Sequence, residues 1–396
     1  MKLTRITGIA AGLSLLVAGM QAQVSLPAVF TDHMVLQQKS EVPVWGWGSA
    51  SATIKVVGSW APQDTATTVV RSDGTWDTTL KTIGAGGPYT LSVLGDGTRE
   101  LKDVMLGEVW LCSGQSNMEW TPMHGIDNSE EEVAAANYPN IRFFHIPKRG
   151  AATPQNNCEA SWAPCTPDRM KSTSAIAYFF GRDLQKDLNV PVGLIVSAWG
   201  GTPAEVWVPE EQVMNNPRIR DVMPDKTYPW WPVEPGVLYN QMISPVVPYA
   251  LAGAIWYQGE SNRDHPDSYG ILLKTMVESW RKSFKKDFPF YLVQIAPFTY
   301  NAGDNGAALV REHQEWVARM VPGAGMVAVS DCVADVKNIH PTDKQSVGQR
   351  LANMALGKIY GRLDSGYESP LFESMTIDKN KAVISFLHAG NGLMCK

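Results

Sequence analysis

Beyond Met20 the chain has no long apolar run: no later segment reaches the ~18 uninterrupted apolar residues a membrane helix needs, which argues against a helical span there. Charge is also sparse. Charged residues make up 18% of the 396 residues and sum to −5, so nothing in the chain offers a basic footprint for nucleic acid or a cationic face for an anionic membrane. Cysteine is scarce, and the count of five is odd, so at least one thiol lacks an internal partner. No cysteine sits with histidine at zinc-ligand spacing, and the chemistry inferred below needs neither metal nor cofactor. Cys112 and Cys332 lie in or beside strand-like runs and read as buried thiols. Cys158 and Cys165, close together in a Pro- and Asn-rich loop, are the pair expected to form a disulfide in an oxidising compartment.

What is present is an ordinary globular composition, 44% hydrophobic, with material for a large core and a length that suggests two or three domains. Lys2 and Arg5 precede an apolar stretch from Ile6 to Met20 that is too short to span a bilayer. With Ala22 before the cut, residues 1–22 read as a secretory signal peptide. The mature protein is therefore expected in a periplasm or outside the cell, without a membrane anchor.

From 23 to 105 the signals are short strands and turns. Thr53–Val57 and Pro88–Val93 alternate, Asp73-Gly74 marks a turn, and no helical period appears. This region is expected to be a small antiparallel β-sandwich. From 106 to 362 strands alternate with helices: Val192–Val196, Ala254–Tyr257, Phe290–Ile295 and Met326–Val329 are strand-like. Helices are expected from Ser174, after Pro266, over Gly306–Met320 and from Asp343, each with an apolar stripe. Such alternation predicts a three-layer α/β domain around a mainly parallel sheet. After residue 363 the pattern returns to strands, expected to be the opening of a truncated C-terminal β-region.

The organising stretch is Glu108 to Met118. An apolar run, Val109 to Cys112, ends in Ser113-Gly114 and sets down Ser116 between Gln115 and Asn117. In an open α/β sheet the carboxyl end of a strand is where ligands bind. Met118 stands where the Gly-x-Ser-x-Gly elbow of α/β-hydrolases has its second glycine, so that motif is absent. Three more blocks follow in order: Ser197 to Trp207, containing Gly200-Gly201; Trp256 to Asn262, containing Gln258-Gly259-Glu260; and Asn338-Ile339-His340-Pro341 before the last helix. His340 alone among the seven histidines follows a final strand and precedes a terminal helix.

These blocks resemble the nucleophile, oxyanion and base segments of the SGNH hydrolases, in the branch that holds sialate O-acetylesterases and related carbohydrate acetylesterases. The N-terminal runs Leu26–Phe30, Met34–Gln38 and Val42–Gly46 resemble the β-domain of the same branch. The resemblance implies an SGNH-type fold with Ser116 as nucleophile and His340 as general base. It implies an oxyanion hole built from Gly200 or Gly201 and the Gln258 amide, which stands in for the asparagine of the wider superfamily. Many members carry Asp three residues before the histidine, but here that position is Lys337. The orienting acid is therefore Asp335, Asp331 or Glu260, or His340 works in a dyad. Trp120, Trp207 with Glu205 nearby, Trp230 and Trp231 are candidates for a sugar-facing wall. The implied substrate is an O-acetylated sialic acid, with acetylated xylan or another polysaccharide as the alternative. A carbohydrate-binding protein on an inactive esterase scaffold is the third reading, against which the presence of both Ser116 and His340 speaks.

Overall fold

The computed structural model describes residues 23–223, 227–301, 303–390 and 392–393. The signal segment expected over 1–22 lies outside the described residues, as does Cys395. The strands are Val35–Gln37 (β1), Glu41–Trp47 (β2), Thr53–Gly58 (β3), Ala66–Val69 (β4), Thr75–Lys81 (β5), Gly86–Gly95 (β6), Gly97–Gly114 (β7), Tyr138–His145 (β8), Trp162–Cys165 (β9), Val192–Ala198 (β10), Gly253–Tyr257 (β11), Phe290–Val293 (β12), Ala324–Val327 (β13), Leu371–Asp378 (β14) and Lys381–Leu387 (β15).

The central sheet runs β13-β12-β11-β7-β10-β8-β9 and is parallel except for the antiparallel edge strand β9. Its strands are apolar on both faces because helices cover both, as parallel sheets require. Register shows which side chains share a face. Trp110 aligns with Leu194 and Gly253, and its ring meets Phe180 of the Ala175–Leu188 helix at 4.9 Å. One residue out of phase, Trp256 faces the other way and meets Trp280 of the Pro266–Phe284 helix at 5.7 Å. The sheet is thus the middle of three layers. The helix over Lys344–Lys358 packs beside Ala175–Leu188, and Gly306–Met320 beside Pro266–Phe284. Local signals start these helices where the sequence placed them. Ser174 Oγ accepts from Ala177 N–H (3.1 Å), and an Asp343 carboxylate oxygen accepts from Ser346 N–H (2.9 Å).

β7 is the axis of the molecule. Its first half pairs antiparallel with β6, which pairs with β3, and β3 with β4; β2 and β5 form a separate antiparallel pair. Its second half, Glu108 onward, is the middle strand of the parallel sheet. Buried Glu108 ties the two together by accepting from Gln37 Nε2 (2.9 Å), Gln38 Nε2 (2.7 Å) and Tyr360 Oη (2.9 Å). β14 and β15 form a two-stranded antiparallel sheet of their own. Among the described residues no helix is long and apolar enough to cross a membrane.

The expected Cys158–Cys165 disulfide is absent: both are free thiols, as is Cys112. β9 carries Cys165 into the core, where its Sγ lies 3.7 Å from the Ala136 carbonyl; Cys158 stays half-buried in the preceding loop. Nearness in sequence did not translate into facing side chains.

Candidate active site

β7 ends at Gly114, whose φ of +145° and tight surroundings demand glycine: a Cβ there would stand 2.1 Å from the Tyr257 carbonyl oxygen. The turn is hydrogen-bonded on both sides. Gln115 N–H donates to Tyr257 at the end of β11 (3.0 Å), and Trp199 N–H beyond β10 donates to Gly114 (3.1 Å). Ser116 then opens a single-turn helix, Ser116–Glu119, and remains partly accessible at the carboxyl edge of the middle strand.

Asn117 joins this turn to the histidine loop. Its Nδ2 donates to the Ile339 carbonyl (3.1 Å), next to His340, and to Glu260 Oε1 (2.7 Å). Its Oδ1 accepts from Lys344 Nζ (2.6 Å). One turn beyond Ser116, the Trp120 ring stacks on the His340 imidazole with centroids 4.0 Å apart and planes 20° from parallel. Ser116 and His340 are therefore brought to one rim of the sheet from positions far apart in the chain. Among the described residues they share no direct hydrogen bond, and serine–histidine contacts in unliganded sites commonly tighten only when substrate arrives. Burial, with help from the positive charges of Lys344 and His124, pushes the His340 pKa down to about 4.

Among the described residues neither Asp335 nor Glu260 is hydrogen-bonded to the imidazole, and each of the three candidate acids has other partners. An Asp335 carboxylate oxygen accepts from Lys337 N–H (2.8 Å), an Asx-type turn. Asp331 makes a bidentate pair with Arg350 (2.7 and 2.6 Å). Glu260 is buried, faces Asn117, and leaves Oε2 without a hydrogen-bond partner; burial raises its pKa. Because a side-chain amide can accept the Lys337 N–H equally well, Asp335→Asn should leave kcat within about twofold. A loss near the ~10⁴ seen when a triad aspartate is removed would instead mark Asp335 as the orienting acid.

The expected oxyanion donors separate. Gly200 N–H donates to Glu119 Oε2 (2.6 Å), so it is spent. Gly201, at φ +81° beneath the Trp231 ring, has an N–H without a partner among the described residues. The Ser116 N–H, at the first turn of its helix, is likewise open. The Gln258 amide does not reach out as expected. It is fully buried and donates to Thr202 O (3.3 Å) and Asn262 Oδ1 (2.6 Å), while its own oxygen accepts from Tyr269 (3.1 Å).

The sugar-wall candidates divide in the same way. Trp207 is fully buried and donates to Thr202 Oγ1 (3.0 Å), and Glu205 is buried against Asn262 Nδ2 (2.8 Å); neither faces solvent. The 3₁₀ turn Ala204–Trp207 tucks them under the Pro266–Phe284 helix. Trp120 holds His340. Trp231, stacked on Tyr228 at 5.0 Å, lines a cleft of about 170 Å³ with Gly201, Glu260 and Arg263, and Trp230 is exposed. Sequence reasoning missed Lys344. The available signal was a lysine on the helix's apolar stripe, in phase with Val347, Leu351 and Met354.

A partly open serine at the edge of a parallel sheet, beside unpartnered N–H groups, is the layout of an acyl-transfer site, and comparison with known proteins agrees that the chain is a carbohydrate esterase. More narrowly, it belongs to the carbohydrate esterase family described as sialic acid-specific acetylesterase, whose model matches residues 106–357. Sialate O-acetylesterase of Pongo abelii is 32% identical over 90% of this chain and 75% of that protein. The Homo sapiens sialate O-acetylesterase is 31% identical with the same coverage. Among solved structures, a carbohydrate acetylesterase from Xanthomonas citri is 34% identical, with a TM-score of 0.82, covering 93% of this chain and 82% of that one.

Proposed function

We propose that the protein removes O-acetyl groups from sialic acids by a Ser-His acyl-enzyme mechanism. Ser116 Oγ attacks the acetyl carbonyl carbon while His340 takes the hydroxyl proton. The tetrahedral oxyanion is held by the N–H groups of Ser116 and Gly201. His340 returns the proton to the sugar oxygen as the C–O bond breaks. Water then attacks the acetyl-serine, His340 again taking a proton, and acetate leaves. The observation that carries this reading is the clamp Asn117–Ile339, which holds the residue after the serine against the residue before the histidine. Trp231 and Tyr228 border the cleft beside Gly201 and suit a sugar ring; Arg263 borders it as well, with its guanidinium paired to Asp304 and Asp264.

In the same reading residues 1–22 export the protein to a periplasm or the exterior, and 23–105 form a β-sandwich that supports the catalytic domain at 106–362. Acetate release from defined O-acetyl sialic acids, measured against acetylated xylan under matched conditions, tests the substrate. Faster turnover of the sialic acid is expected; preference for xylan would replace it with the polysaccharide alternative.

A further inference from the structure

Lys344 is an ionisable side chain only 1% exposed, in a helix that otherwise buries aliphatic residues; burial pulls its pKa down to about 7 against the pull of Glu260 and Asp343, so it is cationic on the acid side of neutrality. Burying an ammonium costs several kcal/mol unless its surroundings repay it, so its retention requires a reason. Its neighbours supply one. Nζ donates to Asn117 Oδ1 (2.6 Å), and it lies 5.8 Å from the centre of the Trp120 ring. Asn117 is bonded in turn to the Ile339 carbonyl and to Glu260, and Trp120 is the plate on which His340 rests.

Resting on the reading of Ser116 as nucleophile and His340 as base, we propose that Lys344 is a positioning residue, fixing the nucleophile turn against the base loop through Asn117 and Trp120. The Asn117 amide has two faces, one accepting and one donating. The ammonium can only donate, so it commits Oδ1 to itself and turns the NH₂ toward Glu260 and the Ile339 carbonyl. Without it Oδ1 is left buried with no donor, and the amide keeps only its two donated bonds to Glu260 and the Ile339 carbonyl, which loosens the clamp. The same charge has a second effect. Around His340 the cations are Lys344 and His124, and both oppose protonation of the imidazole; around Lys344 itself stand Glu260 and Asp343. Burial is the larger cause of that shift, and on the acid side of neutrality, where it is cationic, Lys344 adds to it in holding the imidazole in its neutral, proton-accepting form.

The test compares Lys344→Met and Lys344→Gln with wild type in the full chain, reading kcat, KM and the pH dependence of kcat/KM on p-nitrophenyl acetate, with the thermal midpoint as a fold control. Met removes donor and charge. Its kcat should fall roughly ten- to a hundredfold, as for a small displacement of reacting groups, with little change in KM. Its acid limb should move upward from about pH 4, because a cation that opposed protonation is gone. Gln keeps a donor without charge, so it should recover part of kcat while its acid limb stays raised. A folded Lys344→Met with unaltered kcat and acid limb overturns the proposal. So do equal losses in both variants with an unmoved limb. If Lys344→Met does not fold, the limb of Lys344→Gln decides: a raised limb supports the proposal and an unmoved one overturns it. Ser116→Ala, run alongside, separates this from failure of the catalytic reading, because full activity there would remove the nucleophile itself.

Discussion

Ser116→Ala should lose on the order of 10⁵ in kcat/KM toward acetyl esters, the scale of losses when a serine nucleophile is deleted elsewhere. That corresponds to about 7 kcal/mol of transition-state stabilisation. Ser261, which also lines the cleft, donates its hydroxyl to the Gly201 carbonyl (2.9 Å). Ser116 sits partly open at the end of the middle strand, whereas Ser113 and Ser197 are fully buried on that strand and its neighbour. Removing one oxygen from a surface turn takes away no core packing, so the thermal midpoint should stay near that of wild type. Steady-state kinetics with a melting curve check both statements. Retained turnover in a folded variant would mean that the nucleophile lies elsewhere.

His340→Ala should cost a comparable factor, on the order of 10⁴ or more, and the wild-type pH profile should carry its signature. A general base works only when neutral. With its pKa pushed down to about 4, chiefly by burial, His340 stays neutral well below the range in which an exposed histidine protonates. The acid limb of kcat/KM should therefore fall near pH 4, provided the protein remains folded there. Stability follows the same proton. Between about pH 4 and 6.5 the unfolded chain binds a proton at this position that the native state does not, so stability from this source declines as pH falls through that window. Below pH 4 both states are protonated and the decline ends. Urea midpoints measured across the window should fall less steeply in His340→Asn than in wild type. A wild-type acid limb near 6.5 would contradict the assigned environment of the imidazole and point to a partner carboxylate.

Much of the architecture was legible because it rests on local signals. Val109–Cys112 reads as buried strand since both faces are covered by helices. Ser174, Pro266 and Asp343 start helices because caps and first-turn prolines act within a few residues. Block order named Ser116, Gly201 and His340 as candidates; what the fold adds is that Asn117 and Trp120, which flank Ser116, contact Ile339 and His340. What was illegible depends on direction rather than position. Trp207 follows a glycine-rich turn, as a sugar-facing ring would, but the turn folds inward and packs it against Trp256 at 5.9 Å. Gln258 has the reach of an oxyanion donor, yet Thr202, from the glycine-rich loop after β10, and Asn262, four residues on in its own turn, claim both of its N–H bonds. Gly200 and Gly201 are indistinguishable as letters; the Glu119 carboxylate on the first N–H and the positive φ of the second separate them. Lys344 would have been found by asking why a lysine lies on an apolar stripe. The cysteine pair failed because strand direction, not spacing, decides which way a thiol points.

The most direct measurement is covalent. Treating the protein with a fluorophosphonate, which a nucleophilic serine attacks with loss of fluoride, and mapping the adduct by peptide mass spectrometry tests the site without presuming a substrate. The expected result is a single phosphonyl group on Ser116, formed in step with loss of esterase activity and greatly slowed in His340→Ala. Complete inactivation with the label on another residue, and Ser116 unmodified, would contradict the account.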